Sequence, residues 1–313
     1  MEKDRLVIGT RGSPLALWQA NWVQSLLLER HPKLQVEIRV IKTSGDKIQD
    51  VPLNKIGGKG LFVKEIEEAM LRKEVDIAVH SMKDVPMKLP FGLNISVITE
   101  RESPFDALVS RKGLPLAEIP EGGRIGTGSL RRMSQLKHHR PDLEMVPLRG
   151  NVGTRLDKME REGLDGIILA ASGLHRMGLD DRITEIIDPE ILLPAMGQGS
   201  VGIEARVYDH RVQELIVPLD HEVTHFTVEA ERAFVEVLEG GCQVPIGAYA
   251  TLEGGVLTVR GRVASLDGAL LYKWDRQGPP ADAKKLGREL GRDLLKMGAD
   301  KILDELIGPS ETR

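Results

Sequence analysis

Cys242 is the only cysteine in 313 residues. It lies in Glu239-Gly240-Gly241-Cys242-Gln243-Val244-Pro245, where two glycines keep bulk away from the thiol and Val-Pro stiffens the exit. A thiol presented on such a loop is a candidate point of covalent attachment. A lone cysteine is just as often a small buried hydrophobe without chemistry, and the count alone leaves both readings open. A second chemistry recurs in short turns. Ile8-Gly9-Thr10-Arg11-Gly12-Ser13 and Ile125-Gly126-Thr127-Gly128-Ser129 each set glycine and hydroxyl residues between a strand end and a helix, and Leu130-Arg131-Arg132 opens the second helix. Pro147-Leu148-Arg149-Gly150-Asn151 is a third such turn, with Arg155 in the first turn of the helix it starts. Helix N-termini carry partial positive charge, so arginines placed there are disfavoured unless an anion compensates them. Three such turns call for a polyanionic ligand.

His80-Ser81-Met82-Lys83-Asp84-Val85-Pro86 follows the apolar run Val75 to Val79. It falls at the carboxyl end of a strand, where open α/β sheets keep their ligands. Asp84 reads either as a site carboxylate or as a turn cap before Val85-Pro86. His80 reads as a core histidine; no partner at metal-ligand spacing accompanies it, and no metal site is expected. Gly57-Gly58-Lys59-Gly60 lacks the spacing and the following Ser or Thr of a phosphate loop.

The elements that must position these residues alternate between strand and helix. Leu6-Val7-Ile8 reads as a buried strand, followed by a helix with Ser13 as N-cap, Pro14 at its first position and Leu15, Trp18, Trp22 and Leu26 at helical spacing. Leu34, Val36, Ile38 and Val40 alternate with polar residues as in a half-buried strand. A helix is expected over 61–73, a strand over 75–79, a crossing at 193–199, a strand over 201–205 and a linker at 217–220. Beyond it come a helix over 224–238, two or three strands through 244–263 and one long helix over 281–306. The whole is α/β, with two similar lobes whose helix N-termini face a shared cleft and a smaller α+β C-terminal domain. The expected divisions are 1–99 with 200–217, 100–199, and 218–313, the last carrying the Cys242 loop.

Composition excludes several classes. Hydrophobic residues make up 41% and charged residues 29%, as in globular chains. Aromatics at 4% and a net charge of −4 argue against nucleic acid or anionic membrane as partner. With one cysteine and an N-terminus that runs straight into a strand, a cytoplasmic protein is expected.

Thr10-Arg11-Gly12-Ser13-Pro14-Leu15-Ala16, Gly57-Gly58-Lys59-Gly60-Leu61-Phe62, the His80 to Pro86 motif, Leu148-Arg149-Gly150-Asn151-Val152-Gly153-Thr154-Arg155 and the Glu239 to Pro245 motif together resemble the porphobilinogen deaminase (hydroxymethylbilane synthase) family. The resemblance covers nearly the whole chain in order. It implies a transferase of tetrapyrrole and heme biosynthesis, monomeric, that deaminates four porphobilinogen molecules and joins them head to tail onto a dipyrromethane cofactor. Linear hydroxymethylbilane is then released by hydrolysis. It also implies two lobes similar to type II periplasmic binding proteins and a thioether between the cofactor and Cys242. By the same resemblance Asp84 is catalytic; Lys83, Thr127, Ser129, Arg131 and Arg132 hold the cofactor carboxylates; and Arg11, Ser13, Phe62, Arg149, Arg155 and Arg176 bind substrate or the growing chain. Lys55 and Lys59 fall at the rim. Gly128 departs from the serine of many relatives, and Ser129 is expected to keep the capping role. Two other classes fit parts of the pattern: a two-lobed solute-binding protein, which leaves Cys242 and Asp84 without a task, and a pyridoxal-phosphate enzyme, for which no lysine is singled out.

Overall fold

The computed structural model describes residues 5–47, 63–239 and 244–308. Besides short turns, the chain runs through β1 (Arg5–Thr10), α1 (Pro14–Arg30), β2 (Gln35–Val40), α2 (Lys64–Leu71), β3 (Ile77–Ser81) and β4 (Leu93–Ile98). It continues with β5 (Asp106–Ser110), β6 (Arg124–Gly126), α3 (Leu130–His139), β7 (Glu144–Val146), α4 (Val152–Arg161), β8 (Gly166–Ala170), α5 (Ala171–Arg176) and β9 (Glu185–Ile186). Then follow β10 (Val201–Arg206), α6 (His210–Ile216), α7 (Glu222–Val237), β11 (Ile246–Glu253), β12 (Val256–Ala264), β13 (Leu271–Gly278), α8 (Ala283–Leu294) and α9 (Asp300–Ile307). No helix among the described residues is long and apolar enough to cross a membrane.

The chain divides into two compact units, Met1–Glu102 with Ser200–His225, and Ser103–Gly199 with Phe226–Arg313. The first holds a five-stranded sheet in the order β2-β1-β3-β10-β4, with β1 parallel to β2 and β3, and β10 antiparallel to β3 and β4. Strand alternation divides its apolar residues between two faces. Leu6 and Ile8 pack with Ala20, Val23 and Leu27 of α1, whereas Val7 packs with Ile66, Ala69 and Met70 of α2.

The second unit repeats this scheme in the order β7-β6-β8-β5-β9: β6 is parallel to β7 and β8, and β5 is antiparallel to β8 and β9. In each sheet the antiparallel strand is the first one built after the chain crosses over. The two similar α/β lobes expected from the repeated strand, turn and helix pattern therefore share one topology. The second unit also carries the antiparallel sheet β11-β12-β13. Its first strand meets the crossing segment, Ala248 N–H donating to Pro194 O at 2.9 Å.

Three expectations need adjustment. The strand expected over 75–79 is Ile77–Ser81, because Asp76 is engaged by its side chain, accepting from Val7 N–H at 2.8 Å. The strands of the last sheet extend past 263 to β13, a partly exposed edge strand whose Lys273, Trp274 and Asp275 all face solvent. Such a strand shows no apolar alternation to read. The single helix expected over 281–306 is broken at Gly298, whose φ of 111° is non-helical and where a side chain would press on the Tyr272 ring.

Helix α8 lies close against α7. A Cβ at Gly287 would sit 2.1 Å from Ala230 O and 2.9 Å from Phe234 N, both backbone atoms of α7. Alanine in a helix interior is ordinarily better than glycine by about 0.5–1 kcal/mol, while overpacking costs about 1–3 kcal/mol. Gly287→Ala is therefore expected to lower the melting temperature despite its better helix propensity. A thermal scan showing an unchanged or higher midpoint would mean that the two helices separate at little cost.

Candidate functional site

In the first unit, the turn after β1 is built by its hydroxyls. Fully buried Thr10 donates from Oγ1 to Ala16 O at 3.2 Å, and Ser13 Oγ accepts from Ala16 N–H at 3.3 Å, capping α1 with Pro14 in its first turn. Arg11 is held between these two anchors. Because β1 and β3 are parallel neighbours, the Thr10 to Ser13 turn and the Ser81 to Asp84 turn leave the sheet at the same edge. Gln19, buried in α1, ties them by donating from Nε2 to Ser81 Oγ at 2.9 Å. Lys83 and Asp84 lie in a 3₁₀ turn, Met82–Asp84. That turn closes through Val85 N–H to Met82 O at 3.2 Å, not through the Asp84 carboxylate, which is exposed.

In the second unit β6 parallels both β7 and β8, so the turns after these three strands also gather at one edge. Asn151 caps α4 as expected, its Oδ1 accepting from Thr154 N–H at 2.9 Å and Thr154 Oγ1 at 3.0 Å. The preceding Gly150 has φ of 121°, and a Cβ there would lie 2.7 Å from Thr154 Cγ2, so glycine is required between Arg149 and the cap. Arg155 is half-buried in the first turn of α4. Arg176, at the end of α5, is buried and donates from Nη2 to Gly199 O at 2.6 Å.

Ser129 departs from expectation. It occupies the N-cap position of α3, but no side chain caps this helix. Buried Thr127 instead accepts the Ser129 N–H on its own Oγ1 at 3.2 Å, which satisfies a donor outside the helix and leaves the first turn open. Gly128 is exposed, and a Cβ there would come within 2.6 Å of Leu148 O. The glycine lets the turns after β6 and β7 approach closely.

Arg131 and Arg132 turn inward onto Asp106, the first residue of β5. Arg131 Nη1 donates to Asp106 Oδ2 at 2.7 Å and to Leu193 O at 2.8 Å. Arg132 donates to Asp106 Oδ1 from Nε at 3.0 Å and from Nη2 at 2.7 Å, and from Nη1 to Ile168 O at 2.9 Å. Gln198 Nε2 adds a bond to Asp106 Oδ1 at 3.0 Å. Asp106 has no exposed surface, and the two arginines are 4% and 5% exposed. Burial alone would push the Asp106 carboxyl up; the Arg131 and Arg132 charges, with hydrogen bonds from Arg131 and Gln198, hold it well below the usual carboxylate range. The compensating anion inferred from arginines in a helix first turn is thus partly internal. One carboxylate against two guanidiniums leaves one positive charge in excess, and Arg131 Nε is buried without a hydrogen-bond partner.

Sequence reasoning missed Asp106, Gln198 and Gln19. The signal for Asp106 was present: a charged residue opening the apolar run Ala107-Leu108-Val109 has to find a partner. Cys242, Phe62, Lys55 and Lys59 lie outside the described residues.

Two family domains match the chain: "porphobilinogen deaminase, dipyromethane cofactor binding domain" over residues 6–214 and "porphobilinogen deaminase, C-terminal domain" over residues 225–296. A porphobilinogen deaminase of Syntrophobacter fumaroxidans is 55% identical over 304 residues, covering 97% of this chain and 98% of the relative. One of Carboxydothermus hydrogenoformans is 51% identical with the same coverage of both chains. Among solved structures, the periplasmic aliphatic sulphonate binding protein SsuA of Escherichia coli aligns at 14% identity with a TM-score of 0.40, over 75% of this chain and 71% of that one.

The Asp106 cluster has a direct consequence for stability. Asp106→Asn keeps shape and an acceptor but leaves two buried guanidiniums without a counter-charge, a change expected to cost about 3–5 kcal/mol. A carboxyl held below its ordinary value contributes stability above that value and loses it only as pH falls through the depressed one. The deficit should therefore be constant between about pH 5 and pH 8. Urea unfolding of both proteins across that range measures it; a deficit that disappears at neutral pH would show that the carboxylate charge is not what holds the cluster.

Proposed function

The chain belongs to the porphobilinogen deaminase family, and from that premise we propose that it joins four porphobilinogen units onto a dipyrromethane tethered by a thioether to Cys242, releasing hydroxymethylbilane by hydrolysis. The observation that carries this reading for the present residues is the charge imbalance at α3. Two buried guanidiniums share one carboxylate, Arg131 Nε has no partner, and the helix N-terminus beside them is uncapped. A ligand rich in carboxylates supplies what that arrangement lacks. Each porphobilinogen unit carries an acetate and a propionate side chain.

In this reading Lys83, Thr127, Ser129, Arg131 and Arg132 hold the carboxylates of the dipyrromethane, which when bound supplies a free pyrrole α-carbon as acceptor. Arg11, Ser13, Arg149, Arg155 and Arg176 bind the carboxylates of the incoming substrate and the growing chain, and Phe62 packs over a pyrrole ring. Asp84 stands at the end of β3 with its carboxylate exposed and uncommitted to closing its own turn. It accepts hydrogen bonds from pyrrole N–H groups and stabilises the positive charge that develops on the substrate as ammonia leaves. It then takes the proton released when the new carbon–carbon bond forms. The protein works as a monomer in the cytoplasm on small molecules alone, and residues 218–313 form a third domain that presents Cys242.

Two measurements test this. The intact mass of the denatured protein should include a covalent two-pyrrole adduct, absent from a folded Cys242→Ser variant; an adduct on the serine protein would remove Cys242 as the attachment point. Asp84→Asn should keep the adduct and the parental melting temperature while turnover falls by about 10² to 10⁴. Unchanged steady-state turnover in that variant would take Asp84 out of the reaction.

A further inference from the structure

Three titratable side chains are buried together in the first unit and have no part in the reading above. His80, in β3, is 6% exposed and donates from Nε2 to Glu204 Oε2 at 2.9 Å; Glu204, in β10, is fully buried. Glu67, in α2, is 7% exposed and close enough to both for their charges to act on it. Glu67 Oε1 and Glu204 Oε1 are each buried without a hydrogen-bond partner. Charges in such a place are costly unless they hold something.

What they adjoin is the turn that carries Lys83 and Asp84. In the β3–β10 ladder His80 pairs with Gly202 and Ser81 with Val201, and Met82 N–H extends the ladder to Ser200 O at 3.0 Å. The Met82 side chain fills the space over Gly202, where a Cβ would lie 2.2 Å from its sulfur. The His80–Glu204 bond runs diagonally across this ladder, from a residue four places before Asp84 to one two places beyond its backbone partner on β10.

We propose that His80 and Glu204 are a positioning pair that fixes the end of β3, and through it the orientation of the Asp84 carboxylate, with Glu67 buried beside them. This rests on the reading of Asp84 given above. Burial first, and then the Glu204 charge, push the Glu67 carboxyl up to about 7, with His80 opposing them and Glu68 on the same helix adding slightly. A cation on β10, Arg206, is engaged by Met70 O, Val75 O, Asp76 and Asp209. β1, also packed on α2, contributes only Arg5, exposed and paired with Glu37. A carboxyl whose value is raised on folding stabilises the fold fully below its ordinary value and loses that contribution as pH rises to the raised one. The Glu67 contribution therefore declines between about pH 4.5 and about pH 7.

The experiment compares the full-length, adduct-carrying protein with three variants, each read per folded molecule. Asp84→Asn is the control for the underlying reading: if its turnover is parental, that reading fails whatever the others do. Given an impaired Asp84→Asn, His80→Phe, which keeps a planar ring and removes the bond, should lower kcat about tenfold with KM within about twofold, as expected of a displaced but intact catalytic group. Glu204→Gln, whose amide oxygen still accepts from His80, should retain kcat within about threefold. It should also reduce, without abolishing, the fall in melting temperature between about pH 5 and pH 7, because burial still raises the Glu67 carboxyl but the Glu204 charge no longer adds to it. Parental kcat in His80→Phe overturns the proposal. So does an unaltered pH dependence of melting in Glu204→Gln, an arm that decides the matter even if His80→Phe does not fold.

Discussion

One carboxylate holding two buried guanidiniums is the constraint on which the second unit is built. Asp106 takes hydrogen bonds from Arg131, Arg132 and Gln198, and those partners reach on to Leu193 O, Ile168 O and Pro104 O. The charge cluster thus fastens the start of β5, the strand β8 and the crossing segment to helix α3. Hydrophobic residues of similar volume would often hold such a place as well or better, since desolvating ions costs more than their attraction returns in many settings. The arrangement makes physical sense if the excess positive charge is itself what is wanted. A neutral plug would fasten the same segments and leave nothing for an anion.

The two sheets show why this charge appears where it does. Both have the first-formed parallel strand flanked by the next two parallel strands, with the strand built after the crossover running antiparallel. Parallel strands deliver their following turns to one edge. In the first unit that edge collects Arg11, Ser13, Lys83 and Asp84; in the second it collects Thr127, Ser129, Arg149, Arg155 and Arg176. Topology, more than any one motif, converts residues far apart in sequence into neighbours.

Much of this was legible from residue types. Ser13 with Pro14, and Asn151 three residues before Thr154, announce their helix starts because capping is local chemistry. Positions of the glycine and hydroxyl turns were readable for the same reason. What the sequence could not display were partners fixed by topology. Asp106 meets Arg131 only because β5 lies beside β8, and His80 meets Glu204 only because β10 returns across 124 residues. Edge strand β13 escaped because successive residues on both of its faces are exposed, and the break at Gly298 because a lone glycine in a helical pattern ordinarily costs little enough to be tolerated.

The cap residues carry the last distinction. Of the three helices that begin after the turns following β1, β6 and β7, two are closed by their own side chains: Ser13 bonds the Ala16 N–H and Asn151 the Thr154 N–H. Helix α3 is not closed, although Ser129 stands at the right position; the Ser129 N–H goes to Thr127 Oγ1 and its hydroxyl makes no cap bond. An uncapped first turn keeps its N–H groups and its share of the helix dipole available. Two arginines in the same turn add charge that one buried carboxylate only half neutralises. A helix left in that condition costs stability on two counts, and in the function proposed above both would be relieved by the same thing, an anion of several carboxylates docked at its N-terminus. The cap that is missing and the charge in excess are therefore one feature, and α3 is where it is found.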